Sequence, residues 1–268
     1  MKVGIIGCGF IGSTLANAIE SIDEVEKLYL YDHKISCTEG LASTYKKATA
    51  VASVDDLIEN VNLVIEAGSQ EAVIKFGNKV LISGKDLMIM SVGALADDKL
   101  WKKLQNTAKK HNCRIYLPSG AICGIDGLSS ASMAGIDEIT VETTKPPNGL
   151  ANVRYITKQG IDLNKLKKPL TIFDGSAKEA VSQFPKNINI SACVSLAGIG
   201  FHKTKVKIIV DPAATRNQHK LICRGRFGEF TCVVKNMPSM SNPKTSYLAA
   251  LSAIATLKKI VGGVWIGT

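Results

Sequence analysis

The feature that most restricts the fold is an apolar run, Val3-Gly4-Ile5-Ile6, that passes without a break into Gly7-Cys8-Gly9-Phe10-Ile11-Gly12. A glycine-rich hexapeptide alone says little, but here a strand pattern precedes it and a helix pattern follows at once. In that setting each glycine has its own task. Gly7 makes the tight turn, Gly9 lets a pyrophosphate approach the backbone, and Gly12 allows close helix–strand contact. The helix start at Phe10 and Ile11 offers amides and a partial positive charge to phosphate. A second strand ends in Tyr31-Asp32, twenty residues beyond Gly12, where a carboxylate accepts hydrogen bonds from the adenosine ribose. The chain is therefore expected to hold NAD or NADP through Gly7, Gly9, Phe10, Ile11, Gly12, Asp32 and the neighbouring His33. Asp32 favours NAD by repelling a 2′-phosphate, whereas His33 and Lys34 offset that repulsion and leave both cofactors open.

The rest of the first 118 residues keeps the same rhythm. Strands are expected at 2–6, 27–31, 63–66, 87–91 and 114–117, and helices at 10–22, from Ser53, from about Gln70 and at 99–111. Ser53 and Asp97 are placed to cap the helices that follow them. Loops at 66–70 and 91–94 fall at the carboxyl ends of strands, where open parallel sheets bind ligands. Their small residues Ala67, Ser91, Val92 and Gly93 suit approach to the nicotinamide ribose, although ordinary turn chemistry explains them as well. After Pro118 a glycine-rich stretch, 119–127, breaks the pattern, and strand candidates crowd together at 138–143, 170–173, 205–210, 220–224 and 229–234. Helices are expected between them at 177–184 and 189–197. The expectation is an α/β protein: a Rossmann-type parallel-sheet domain over 1–118, and a smaller α+β domain with a mostly antiparallel sheet over 119–235. The segment 236–268 carries a long amphipathic helix from Pro243, with Leu248, Leu251, Ile254, Leu257 and Val261 on one face, expected to pack back on the first domain.

Composition narrows the function classes. No apolar run approaches the ~18 residues a membrane span needs, and the amino terminus is too quickly interrupted by glycine for a secretion signal. A cytoplasmic protein without membrane contact is expected. Seven scattered cysteines show no zinc-like spacing, so no metal is expected and the thiols read as small buried or half-buried side chains. The net charge of +10 comes from dispersed lysines without interleaved aromatics, which argues against nucleic acid and is compatible with drawing in anionic small molecules. Exposed strands in the second domain point to pairing through sheets, hence a homodimer.

Several longer segments resemble the L-aspartate dehydrogenases, and the likeness covers nearly the whole chain. It rests on GCGFIG at 7–12, EAGSQEAV at 66–73, SVGAL at 91–95, LPSGAICGIDGL at 117–128, KPPNGL at 145–150, FDGSAKEAVSQFPKNINISA at 173–192, DPAATRNQH at 211–219 and NPKTS at 242–246. The first is shared by many enzymes; the SGAI, FPKN-x-N and DP…N-x-H segments together are far more specific. The resemblance implies NAD(P)-dependent oxidation of L-aspartate to iminoaspartate, then oxaloacetate and ammonia, a reaction that can feed NAD biosynthesis. It implies that His219 is catalytic and that Asn189 and Ala121 contact the nicotinamide end of the cofactor, with Cys123 an alternative registration for the latter.

Of the four histidines, His33 belongs to the adenosine end, His111 closes a lysine-rich helix and His202 sits at a helix-to-strand junction. His219 is expected in a polar turn between two strands, with Asp211 a candidate to orient its ring. An imidazole suits a reaction in which an ammonium must lose a proton before hydride can leave the carbon beside it. A dicarboxylate substrate needs cationic or amide donors, for which Lys145, Lys244, Thr245, Ser246 and Arg216 are the candidates. The 242–246 segment reads either as a carboxylate seat at a helix start or simply as that helix's beginning. The rival readings are another two-domain reductase, of dihydrodipicolinate reductase or homoserine dehydrogenase type, and a non-catalytic NAD(H) sensor. The first lacks its lysine and histidine signatures here; the second lacks an effector module.

Overall fold

The computed structural model describes residues 1–150, 153–184, 188–239 and 245–267, and the chain divides into two units. The first comprises Met1–Pro118 and Ala250–Trp265. Its elements are β1 (Lys2–Ile6), α1 (Phe10–Glu20), β2 (Lys27–Tyr31), α2 (Ile35–Ala42), β3 (Ala48–Ala50), α3 (Val54–Asn60), β4 (Leu63–Glu66), α4 (Gln70–Ile82), β5 (Asp86–Ile89), α5 (Asp98–Lys110) and β6 (Ile115–Tyr116). The strands lie in the order β3-β2-β1-β4-β5-β6, every pair parallel. Such a sheet is covered on both faces, so its strands are continuous apolar runs. Val3, Ile5, Leu28, Leu30, Leu63 and Ile65 are fully buried, each contributing about 1.5–3 kcal/mol of burial. Strand order reverses between β1 and β4, and it is at such a point that the carboxyl ends of a parallel sheet open a ligand crevice.

Caps set the helix starts. Ser53 Oγ accepts from the Asp56 amide at 3.1 Å, and Asp97 Oδ1 accepts from the amides of Lys99 and Leu100 at 2.9 and 3.1 Å. Two elements of this unit escaped the sequence reading. Helix α2 has an internal glycine and no side-chain cap at Lys34, and β3 is only three residues long, so neither has a readable period.

The second unit, Ser119–Ala249 with Ile266–Thr268, holds α6 (Ile125–Ser132), β7 (Ile136–Lys145), α7 (Arg154–Lys158), β8 (Leu170–Ser176), α8 (Ala177–Gln183), α9 (Asn189–Ala197), β9 (Lys205–Val210), β10 (Asn217–Gly225) and β11 (Gly228–Asn236). The strand order is β11-β10-β7-β9-β8; β7 and β9 run parallel and the other three pairs antiparallel. Helix α6 arises inside the glycine-rich stretch that was read as a break. Gly124, at φ 87°, turns the chain left-handedly in front of it, and Leu128 and Ala131 bury its inner face. Ser176 and Glu179 form a reciprocal capping box at the start of α8.

The last helix, α10 (Tyr247–Val261), keeps part of the expected face, since Leu257 is buried and Ile254 and Val261 pack against the first unit's core. Its buried residues are Ala250, Ala253 and Leu257, whereas Leu251 is exposed. Two alanines let the helix come close to the first unit's core, where Ala253 and Leu257 join Leu15, Ile19 and Leu28. The segment that joins the first unit starts at Ala250 and not at 236, because Asn236 still belongs to β11 and Pro238 bridges to Ser246. No described helix is long and apolar enough to cross a membrane.

Candidate active site

In the first unit the glycine loop is shaped for a dinucleotide. Gly7 has φ 105°, and a Cβ there would lie 2.7 Å from the backbone of Gly68. A Cβ on Gly12 would come within 1.9 Å of the Gly7 carbonyl oxygen, so β1 and α1 meet backbone to backbone. At Gly9, by contrast, a Cβ would meet nothing within 4 Å. The space is open on the side where a pyrophosphate has to approach, and no side chain caps α1 at Gly9. Phe10 and Ile11, half-buried, form the first helical positions. Asp32 Oδ2 accepts from the Cys8 amide at 2.8 Å, and Oδ1 accepts from the Lys34 amide at 3.0 Å. These residues fit a nicotinamide dinucleotide. Gly9→Ala is therefore expected to leave the thermal midpoint within about a degree while weakening cofactor binding at least tenfold. Gly12→Ala is expected to lower the midpoint sharply, and calorimetry with a fluorescence titration separates the two effects.

The loops after β4 and β5 are tied by a carboxylate that the sequence reading passed over. Glu66 is buried and ends β4; its Oε1 accepts from the Gly68 amide and the Ser91 hydroxyl, both at 2.9 Å, and its Oε2 from the Ser91 amide at 3.0 Å. Burial pushes the Glu66 pKa up, and the donors at Ser91 and Gly68 pull against it. The signal in the sequence was a single acid closing a four-residue buried strand. Ser91 therefore turns its hydroxyl to Glu66, Val92 and Gly93 are buried in a short 3-10 turn, and Ala67 is half-buried.

In the second unit the buried side chains Lys145 and His219 lie at one end of a sheet face. Along β7 the inward residues are Ile139, Val141, Thr143 and Lys145; along β10 they are Cys223, Leu221, His219 and Asn217. Antiparallel register sets Leu221 opposite Val141 and His219 opposite Thr143. The face is thus apolar at one end, where Ile139, Val141 and Leu221 join Leu128 and Val194, and polar at the other.

His219 is therefore not in a turn, as expected, but inside β10, because 217–225 alternates inward and outward residues from its first position. Its Nδ1 lies 3.0 Å from the Thr143 hydroxyl. Asp211 does not orient it: that carboxylate accepts from the Ala213 amide at 2.8 Å and closes its own turn. Apolar neighbours on the sheet deny both groups water: β9 places Ile208 beside Thr143 and Val210 beside Lys145, and β11 places Val234 beside His219. Burial, followed by the charge of Lys145, pushes the His219 pKa down to about 3. Burial lowers that of Lys145 to about 8. The imidazole is neutral at physiological pH, its pKa lying well below the 6.5 of a free side chain.

Other segments reach the same polar end by the chain's path. Asn236, opposite Asn217 on β11, donates from Nδ2 to the Ala121 carbonyl at 2.9 Å and so fixes the 119–124 loop. Ala121 is buried; Cys123 is exposed, as is Cys37, contrary to the reading of all seven thiols as buried or half-buried. Just beyond Asn236, the Ser239 amide donates to the Thr245 carbonyl at 2.8 Å, and Ser246 is buried in the bridge to Pro238. Since α10 begins at Tyr247, Thr245 and Ser246 precede the helix; Lys244 lies outside the described residues. A cleft of about 590 Å³ lined by Pro146, Pro147, Asn148 and Leu150 opens directly after Lys145. Asn189 is the exposed first residue of α9. Arg216 and His202 are exposed, and His111 is the carboxyl-terminal cap of α5. Thr143 and Asn236 were missed, although the two-residue alternation of their strands was there to read.

Comparison with known proteins accords with this division. Residues 126–260 match the family model "Aspartate dehydrogenase, C-terminal", and residues 7–118 match "Homoserine dehydrogenase, NAD binding domain". An L-aspartate dehydrogenase of Methanosarcina acetivorans is 50% identical, with 100% of both chains covered. The crystal structure of an aspartate dehydrogenase from Thermotoga maritima superposes with a TM-score of 0.79 at 29% identity, over 100% of this chain and 99% of that one. A homoserine dehydrogenase from Thiobacillus denitrificans, 11% identical with a TM-score of 0.64 over 97% of this chain and 73% of its own, shares the fold.

Proposed function

Because the chain belongs to the aspartate dehydrogenase family, we propose that it oxidises L-aspartate at Cα to iminoaspartate, which water converts to oxaloacetate and ammonia. The nicotinamide cofactor, when bound, supplies the hydride acceptor. The observation that carries this reading is the buried face on which Thr143, Lys145 and His219 adjoin one another.

Each group has a task that its surroundings explain. Lys145 keeps its proton at neutral pH and, already stripped of water, forms a strong charge-assisted pair with a substrate carboxylate. His219 arrives neutral, with the Thr143 hydroxyl steadying the ring at Nδ1. A base held so far down would be weak by itself. Entry of a dicarboxylate beside it adds negative charge, which raises its affinity for a proton. It then takes the proton from the substrate ammonium, freeing the nitrogen lone pair that expels hydride from Cα. The same imidazole next serves a water molecule attacking the imine. Thr245 and Ser246 are assigned to the second substrate carboxylate. Ala121 and Asn189 are assigned to the nicotinamide end of the cofactor; Gly7, Gly9 and Gly12 to the pyrophosphate, and Asp32 to the ribose. The functional protein is a homodimer in this reading, supported by the open edge strands β8 and β11.

A screen of the common amino acids with NAD and NADP tests the substrate. L-Aspartate alone is expected to give reduced cofactor at 340 nm together with stoichiometric ammonia; reduction with other amino acids and none with L-aspartate would overturn the reading.

A further inference from the structure

The carboxylate expected to read the adenosine ribose is not left bare. Asp32 Oδ2 is engaged by the Cys8 amide at 2.8 Å and Oδ1 by the Lys34 amide at 3.0 Å, while His33 Nδ1 lies 2.9 Å from the same Oδ1. The Asp32 side chain is 12% exposed and the His33 side chain 80%. The exposed imidazole thus lies against one oxygen of a half-buried acid. Lys34 follows, and α2 starts immediately after it with no acidic residue in its first turn.

A bare carboxylate here rejects a 2′-phosphate by like-charge repulsion. One whose Oδ1 is engaged by the neighbouring His33 imidazole has an oxygen occupied and its charge partly screened, which weakens that repulsion. Building on the dinucleotide site assigned above, we infer that His33 is a cofactor-selecting residue: by pairing with Asp32 it masks the carboxylate, so that the chain accepts NADP as well as NAD. The effect rests on a pair of adjacent residues and asks for no rearrangement of the fold.

Dissociation constants for NADH and NADPH, read from the fluorescence of the bound reduced nicotinamide without turnover, test this. Wild-type protein is expected to bind both. His33→Ala is expected to raise the NADPH:NADH ratio of dissociation constants at least fivefold, and Asp32→Asn to lower it. In the Asp32→Asn background the histidine substitution is expected to shift the ratio less than twofold, since no charge remains to mask. A shift below fivefold in His33→Ala, or an undiminished shift in the double variant, overturns the masking role. Failure of the wild-type protein to bind either nucleotide overturns both this inference and the functional proposal, whereas binding with an unmoved ratio overturns this inference alone.

Discussion

Replacing His219 with asparagine or alanine is expected to lower kcat by about 10²–10⁴-fold, the usual worth of a positioned proton-transfer group. Affinity for NADH is expected to stay within twofold, because the glycine loop and Asp32 belong to the other unit. Asparagine keeps a polar partner for the Thr143 hydroxyl, so a loss shared by both variants reports the proton chemistry more than the packing. Turnover within threefold of wild type in either variant would remove His219 from the mechanism. The substitution also changes the response to acid. The folded imidazole protonates at about 3 against 6.5 in a free side chain, so between those values the unfolded chain binds the extra proton. Stability contributed at neutral pH is then lost as pH falls from about 6.5 toward 3, by up to about 1.4 kcal/mol per unit. Urea midpoints at pH 7 and 4.5 are expected to differ less in His219→Ala than in wild type.

Lys145→Met is expected to separate stability from function. The ammonium is buried, and burial lowers its pKa from 10.5 to about 8. The sign follows from protonation: above 10.5 the side chain is neutral in both states, and as pH falls toward 8 the unfolded chain gains a proton that the folded chain resists. At neutral pH the whole cost is present, roughly 3 kcal/mol. An apolar side chain of similar length removes it, as replacement of buried charges often does, and the thermal midpoint is expected to rise by several degrees. The KM for L-aspartate is expected to rise ten- to a hundredfold, from loss of a charge-assisted pair. His219 also loses the cation that helps depress its pKa, so its titration is expected to move upward in the variant, followed by its imidazole proton resonance. A variant both less stable and unchanged in KM would show that Lys145 serves the fold and not the substrate.

The sheet of the first unit was legible because its rules are local. An apolar run, a glycine turn and a capped helix are each decided within about ten residues, and Ser53, Asp97 and Gly7–Gly12 behave as their chemistry dictates. The carboxyl-end loops were legible as places but less so as contacts, since Ser91 spends its hydroxyl on Glu66, a partner twenty-five residues away. In the second unit the strand segments could be read, whereas the site depended on register. That Thr143 stands opposite His219, seventy-six residues along the chain, follows from how β7 and β10 align, and no local period fixes that. The burial that sets both pKa values comes from β9 and β11, so the electrostatics lay further still from view. The misplacement of His219 was avoidable: Asn217, His219, Leu221 and Cys223 alternate with Gln218, Lys220, Ile222 and Arg224, which is the pattern of a half-buried strand. Helix α10 was legible in part: Leu257, Ile254 and Val261 of the expected face meet the core, but close packing adds Ala250 and Ala253 and leaves Leu251 exposed.

Transfer of label from substrate to cofactor tests the proposed chemistry most directly. L-Aspartate carrying deuterium at Cα is incubated with NAD and the enzyme, and the NADH formed is isolated for mass spectrometry. One deuterium per NADH, at C4 of the nicotinamide, is the expected result, with unlabelled product acid. NADH free of deuterium, or label washed into water before any cofactor is reduced, would mean that hydride does not leave Cα and that this protein is not an aspartate dehydrogenase in its chemistry.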